Sequence, residues 1–175
     1  MRKFTIYAAT SVTVLTMLAA CGGGGGDAPA SAPPPVAAAA DKYVGTWGTC
    51  GPVVAATNGV VSARTEYTFT KTSATGLNVS LGGSGFTAAN CTGPVFNTIP
   101  AIATGTIMLN GTKGVGANIV DKLDLNLIST TAALNGAFKD IGFVSGTTLV
   151  FGTTSAADAQ GYPTVLDSVY VFNKM

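Results

Sequence analysis

The chain contains no histidine and little charge, and both absences restrict its chemistry. Of its 175 residues 10% are charged, with 9 lysines and arginines against 8 acids. Without histidine, Ser-His-Asp and Cys-His catalytic arrangements are excluded, and a zinc site lacks a common nitrogen ligand. No basic cluster is present, so the electrostatic footprint of a nucleic-acid-binding protein is missing. We therefore expect a protein that is not an enzyme and that uses no nucleic acid, metal or cofactor.

The few carboxylates form no catalytic pair. Two-carboxylate hydrolysis needs two acids that converge on one cleft. Asp121 and Asp124 are three residues apart, so on one strand they point to opposite faces. We predict that both are solvated, with Lys122, on an exposed edge. Asp158 has alanine neighbours and lacks the further oxygen ligands of a calcium loop, so we predict a turn there.

The amino-terminal segment has the features of a secretory signal peptide. Arg2 and Lys3 precede an apolar stretch over residues 4–20 that ends in small residues. Threonines and serine interrupt this stretch, and it is too short for a membrane-spanning helix. We predict a signal peptide over residues 1–20.

A lone cysteine follows that segment. Leu18-Ala19-Ala20-Cys21 resembles the lipobox of bacterial lipoproteins, which implies cleavage before Cys21 and lipid chains on its side chain and amino terminus. Lipid chains anchor a protein to a membrane without spanning it. Gly22, rather than an aspartate, follows the cysteine, and by the sorting rule of enteric bacteria this implies the outer membrane. The protein is then expected in the bacterial cell envelope, facing the periplasm or the outside.

A glycine-, proline- and alanine-rich segment separates the cysteine from the rest of the chain. It contains almost no large apolar side chain, so it cannot bury a core. We predict a flexible tether over residues 21–41 and a single domain over residues 42–175.

The domain contains two further cysteines, Cys50 and Cys91. In an oxidising compartment an even pair usually forms a disulfide. A metal pair and two free thiols are the alternatives, but a zinc site would lack its other ligands. We predict the disulfide, which closes a loop of about forty residues and stabilises the fold by roughly 4 kcal/mol in the chain-entropy model.

Apolar residues alternate with polar ones along the domain, which indicates half-buried strands. Turn signals separate the runs: Asn58-Gly59, Asn110-Gly111, Asn135-Gly136, Gly82–Gly85, Ser145-Gly146 and Gly161-Tyr162-Pro163. No sustained helical stripe follows residue 42. We predict an all-β fold, a small antiparallel up-and-down barrel of about eight strands, with a two-sheet β-sandwich as the alternative.

The predicted first strand contains the segment YVGTWGTC, which resembles the first strand of lipocalins and related calycin barrels such as avidin. Those families share a Gly-x-Trp motif, matched here by Gly45 and Trp47, the only tryptophan in the chain. The resemblance implies a barrel whose tryptophan closes one end. The chain departs from the pattern because it has no Thr-Asp-Tyr motif and no carboxy-terminal helix. On its last strand Lys174 is the nearest cation in place of an arginine.

Two functions are compatible with such a barrel. The resemblance implies a non-enzymatic protein that holds a small apolar ligand inside. The candidate lining residues are Trp47, Tyr67, Phe69, Leu77, Val79, Leu125 and Phe172. The alternative is a barrel with a solid core that presents its surface to an envelope or host protein in adhesion, inhibition or assembly.

Overall fold

The alternating pattern produces a closed sheet. The computed structural model describes residues 37–57 and 59–175. In it, eight antiparallel strands pair in sequence order and β8 returns to pair with β1. The strands are β1 Gly45–Thr57, β2 Val60–Lys71, β3 Gly76–Phe86, β4 Asn97–Val115, β5 Asn118–Ser129, β6 Gly136–Ser145, β7 Thr148–Gly152 and β8 Leu166–Lys174. The predicted up-and-down barrel is confirmed, and the sandwich alternative is wrong because closure pairs every strand on both sides.

In the described part of the chain, helical structure is limited to short turns. Single 3-10 turns occur at Asp41–Tyr43, Ala89–Cys91 and Ala132–Leu134. Within the described residues no helix has the length and apolar character needed to cross a membrane. The predicted signal peptide, Cys21 and the tether as far as residue 36 lie outside the described residues. The end of the predicted tether packs on the barrel, since Ala40 is fully buried and its amide donates to the Ala74 carbonyl at 3.1 Å.

Three of the predicted turns are confirmed. β1 and β2 pair as far as the residues that flank Asn58-Gly59, although Asn58 itself lies outside the described residues. β6 and β7 pair on either side of residues 146 and 147, so Ser145-Gly146 opens a tight hairpin. Gly161-Tyr162-Pro163 lies in the connection between β7 and β8 (residues 153–165), which we call the strap.

Of the other three predicted turns, Asn110-Gly111 and Gly82–Gly85 are wrong, whereas Asn135-Gly136 does lie at a connection between strands. Asn110-Gly111 lies inside β4, where the register with β5 shifts, and Gly111 has a φ of 77°. There the pair forms a bulge rather than a hairpin. Asn135-Gly136 completes the connection between β5 and β6 after a 3-10 turn. Gly82–Gly85 lies within β3. A Cβ on Gly83 would stand 2.2 Å from the Arg64 carbonyl oxygen on β2. Glycine there permits close strand approach.

The described residues form two apolar clusters, one on each face of the sheet. The larger fills part of the barrel interior and includes Trp47, Phe69, Leu77, Leu123, Leu149 and Phe172. The smaller lies on the outer face, where the strap covers β5 and β6, and consists of Val115, Val120, Ile141 and Tyr162. β5 and β6 therefore bury side chains on both faces near the strap.

Candidate ligand-binding cavity

The barrel interior is only partly filled. A cavity of about 330 Å³ lies inside it and is bounded by side chains from β1 to β8. Most of its wall is aromatic or aliphatic, and Tyr170, which is 59% exposed, stands at its mouth. We call this part of the barrel the open half. We call the opposite part, where Tyr43, Trp47 and Leu77 are buried, the closed end.

Five of the seven predicted lining residues border the cavity. They are Tyr67, Phe69, Val79, Leu125 and Phe172. Trp47 and Leu77 do not border it. Both are almost fully buried in the packed core of the closed end. The sequence resemblance and the alternation therefore identify inward-facing positions, but alternation alone does not say how far along the barrel the packing extends.

A cluster of aromatic rings forms one wall of the cavity. The centroid of the Tyr67 ring lies 5.3 Å from that of Phe151 and 5.1 Å from that of Phe172. Tyr67 also stacks on Phe69 with the centroids 6.0 Å apart. Edge-to-face and stacked pairs at these separations stabilise one another beyond simple area burial. The cluster gives the cavity a defined wall with π faces and one phenol hydroxyl.

Asp140 brings a carboxylate to this largely apolar wall. Its Oδ1 accepts hydrogen bonds from the backbone amides of Ile141 at 2.7 Å and Gly152 at 2.9 Å. Burial raises the pKa of the Asp140 carboxyl to about 6, although these two amides act in the opposite direction. Burial, followed by the nearby Asp140 charge, also raises the pKa of Tyr67. Titratable groups perturbed in this way are found at functional sites more often than elsewhere.

A second carboxylate lies near the mouth of the cavity. Asp167 borders the cavity, and its Oδ1 accepts a hydrogen bond from the Val169 amide at 2.7 Å. No lysine or arginine of the described residues borders the cavity. The charged part of the wall is therefore entirely acidic.

The closed end is sealed by the tryptophan of the Gly-x-Trp motif. The Trp47 indole nitrogen donates to the Tyr43 carbonyl at 2.6 Å, and the ring is fully buried. Trp47 is paired with Lys174 across β1 and β8, and the Lys174 Nζ lies 5.2 Å from the ring centroid. This is a cation–π geometry. A lysine therefore stands where the resemblance leads one to look for an arginine.

Asp121 is buried at the closed end, where it has two polar partners. The Tyr43 hydroxyl donates to Asp121 Oδ2 at 2.6 Å, and the Lys42 ammonium lies 2.7 Å from the same oxygen. Asp121 is 4% exposed, so the prediction that it is solvated is wrong. Burial and the hydrogen bond to Asp121 raise the pKa of Tyr43. A partner 78 residues away in sequence gives no signal in a strand pattern.

Asp124 and Lys122 also have partners, on the outer face. The Tyr162 hydroxyl of the strap donates to Asp124 Oδ1 at 2.7 Å, and the Lys122 Nζ lies 5.3 Å from the Tyr162 ring centroid. Asp158 forms an ion pair with Lys113 and accepts hydrogen bonds from the strap's own backbone. The strap is thus held against the outside of the barrel. The turn predicted at Asp158 is confirmed, whereas the exposed edge predicted for Asp124 and Lys122 is wrong.

The predicted disulfide is present. Cys50 and Cys91 are joined, with their Cα atoms 6.0 Å apart, and the bond ties β1 to the 3-10 turn that follows β3. The Ser62 hydroxyl supports this turn because it donates to the Ala88 carbonyl at 2.7 Å and accepts from the Cys91 amide at 3.0 Å. Asn90 and Cys91 both have a positive φ, a conformation that non-glycine residues adopt uncommonly.

Several lining residues were not identified from the sequence. Phe151 lies on a strand of only five residues, too short for alternation to be recognised. Asp140 lies in the segment GAFKDIGF, in which apolar residues occur at both odd and even positions. The strap buries the second face of that strand, which removes the contrast between the inner and outer positions. Comparison of the chain with protein-family models, with curated proteins and with solved structures gives no match.

Proposed function

We propose that this protein is a non-enzymatic, lipid-anchored protein of the bacterial cell envelope whose barrel binds a small, largely apolar ligand. The observation that supports this most strongly is the cavity of about 330 Å³ with its mainly aromatic and aliphatic wall. Binding pockets are typically concave and apolar, with a few polar groups that orient the ligand. An eight-stranded barrel can be filled by side chains or hold one small ligand, and an incompletely filled interior favours the second role.

The closed end adds support for a lipocalin-like barrel. Trp47 lies at the start of β1, is fully buried, and has the cationic side chain of Lys174 over its ring. That arrangement agrees with the plug that the Gly-x-Trp resemblance implies. It leaves the opposite half of the barrel for a ligand.

The anchor is proposed from the sequence. Lipid chains on Cys21, followed by the tether, would hold the barrel near a membrane surface, and more than one chain is needed for stable attachment. A binding protein placed there would capture or hand over a ligand at the envelope. Its partners in this proposal are the membrane, through Cys21, and the small ligand.

The proposal is tested by native mass spectrometry on the full chain carrying Cys21→Ser, purified without delipidation and then exposed to envelope extracts. We expect a reproducible extra mass that organic solvent removes. A protein that retains only its bare mass after exposure would contradict the proposal.

Two tryptophan variants on β3 locate the ligand. Val79 borders the cavity, so Val79→Trp should fill it and abolish the extra mass. Asn78 is the adjacent, exposed residue, and because alternate residues of a strand face opposite sides, Asn78→Trp should retain the extra mass. Loss in both variants, or in neither, would place the ligand outside the cavity.

A further inference from the structure

The charge of the cavity wall identifies the kind of ligand more closely than its apolar character does. Asp140 and Asp167 both border the cavity, and no basic side chain of the described part of the chain does so. Two of the described lysines form ion pairs elsewhere: Lys42 with Asp121 at the closed end, and Lys113 with Asp158 on the outer face. The described part of the cavity wall therefore has two carboxylates and no cationic group to balance them.

Asp140 also has an oxygen without a protein partner. Both of its hydrogen bonds, from the Ile141 and Gly152 amides, go to Oδ1, and no described donor reaches Oδ2. Because the described side chains include no fully enclosed polar atom that lacks a partner, Oδ2 must face accessible space. The space that Asp140 borders is the cavity. A buried or partly buried carboxylate is costly unless it is paired, so this oxygen is available to a donor on a ligand.

The aromatic cluster provides the second element of a cation site. Tyr67, Phe151 and Phe172 border the same cavity as Asp140, and Gly152, which donates to Asp140, directly follows Phe151. The negative faces of such rings attract an organic ammonium group, most strongly where water is excluded. The Tyr67 hydroxyl forms no hydrogen bond with any described group, so it is available to the ligand as well.

We infer that the cavity binds a small organic amine, whose apolar body lies against the aromatic cluster and whose ammonium group donates to Asp140. This inference rests on the proposed function, since it names the ligand class of the same cavity. A volume of about 330 Å³ is at the lower end of the range for ligand pockets. It suits one ring system with a short chain and excludes a lipid with two long acyl chains. A metal ion fits less well, because a hard cation needs several oxygen ligands and no such group of acids occurs in the described residues.

The inference predicts a pH dependence with a definite sign. The titratable groups that border the same cavity as Asp140 are Tyr67 on β2 and Tyr170 and Asp167 on β8. The Asp140 charge also acts on Tyr43, which donates to Asp121 at the closed end. Tyr43 and Tyr67 remain protonated near neutral pH, since burial raises the pKa of both. Asp140 gains its charge as the pH rises through about 6. An alkylamine stays protonated to about pH 10, so its affinity should increase across pH 5 to 7 and then level off.

Three probes with one indole body test the ligand class. Tryptamine carries an ammonium group, tryptophol a hydroxyl group and indole-3-propionate a carboxylate. Affinities are measured by isothermal titration calorimetry at pH 7.5 on the full chain carrying Cys21→Ser. We expect tryptamine to bind at least about tenfold more tightly than tryptophol, as a charge-assisted hydrogen bond implies, and indole-3-propionate to bind most weakly. Asp140→Asn should remove the advantage of tryptamine and its pH dependence. Asp41→Asn, which removes the same charge from an exposed pair with Lys71, should preserve both.

The outcomes separate this inference from the proposed function. Equal binding of tryptamine and tryptophol, or an advantage of tryptamine that survives Asp140→Asn, would overturn the amine inference. Failure of all three probes would also overturn it. In each case a solvent-removable mass in the native spectrum would still support the carrier, whereas a bare mass would contradict the carrier itself.

Discussion

The two ends of this barrel differ in how completely their polar groups are hydrogen-bonded. At the closed end the Tyr43 hydroxyl, the Trp47 indole nitrogen and the Asp121 carboxylate all have partners within 2.7 Å. In the open half one oxygen of Asp140 and the hydroxyl of Tyr67 have no hydrogen-bond partner among the described residues, and both side chains border the cavity. Because buried polar groups are normally satisfied, the difference separates a closely packed part of the molecule from the part in which we propose that a ligand binds.

The largest expected effect is at the closed end. Trp47→Ala removes a fully buried side chain and its hydrogen bond to Tyr43. Truncation of a large aromatic core residue costs about 3–5 kcal/mol, and urea denaturation of the full chain carrying Cys21→Ser measures the loss. Phe151→Ala is the comparison from the open half. It should cost less, because the Phe151 ring already borders the cavity. Equal losses would contradict the distinction between the two ends.

The second prediction concerns Asp140→Asn, which we expect to increase the free energy of unfolding. Burial raises the pKa of Asp140 from 3.8 to about 6, so the folded state holds this proton more tightly than the unfolded chain does. The contribution to stability is therefore present at low pH and is lost as the pH rises from about 4 to about 6. Asp140→Asn retains the oxygen that accepts from Ile141 and Gly152 and removes the charge.

We expect Asp140→Asn to increase the free energy of unfolding by about 3 kcal/mol at pH 7.5 and to change it little at pH 4. Urea denaturation at the two pH values tests this. Asp167→Asn, nearer the mouth of the cavity, serves as the control and should change stability by less than about 0.5 kcal/mol. Destabilisation by Asp140→Asn at pH 7.5 would show that the carboxylate supports the fold rather than a ligand.

The sequence predicts the inward-facing strand positions of this molecule better than it predicts their depth in the barrel. Alternation correctly predicts that Tyr67, Phe69 and Val79 face the interior. It works on those strands because the inner side is apolar and the outer side is polar. It failed at β6, where the strap buries the outer side chain of Ile141 while Asp140 faces the cavity. Turn chemistry failed at Gly83, where glycine serves the close approach of β2 rather than a change of direction.

Long-range polar pairs were not accessible from the sequence. Asp121 was expected in solvent, yet a hydroxyl from Tyr43 and an ammonium from Lys42 meet it in the core. Neither partner is near it in the chain, and the pairing exists only after the barrel closes. Asp140, in contrast, forms no ion pair with any residue that the structure describes. The candidate ligand site therefore became visible only in the structure.

The most direct test of the account compares two residues on the inner face of β3. Leu77 and Val79, two positions apart on the same strand, are 1% and 5% exposed, but only Val79 borders the cavity. Tryptophan at either position adds a similar bulk. We predict that Leu77→Trp lowers the free energy of unfolding by about 1–3 kcal/mol through overpacking, and that Val79→Trp leaves it unchanged or raises it because the ring enters empty volume. An equal loss in both variants would mean that the barrel is solid throughout and would contradict the account.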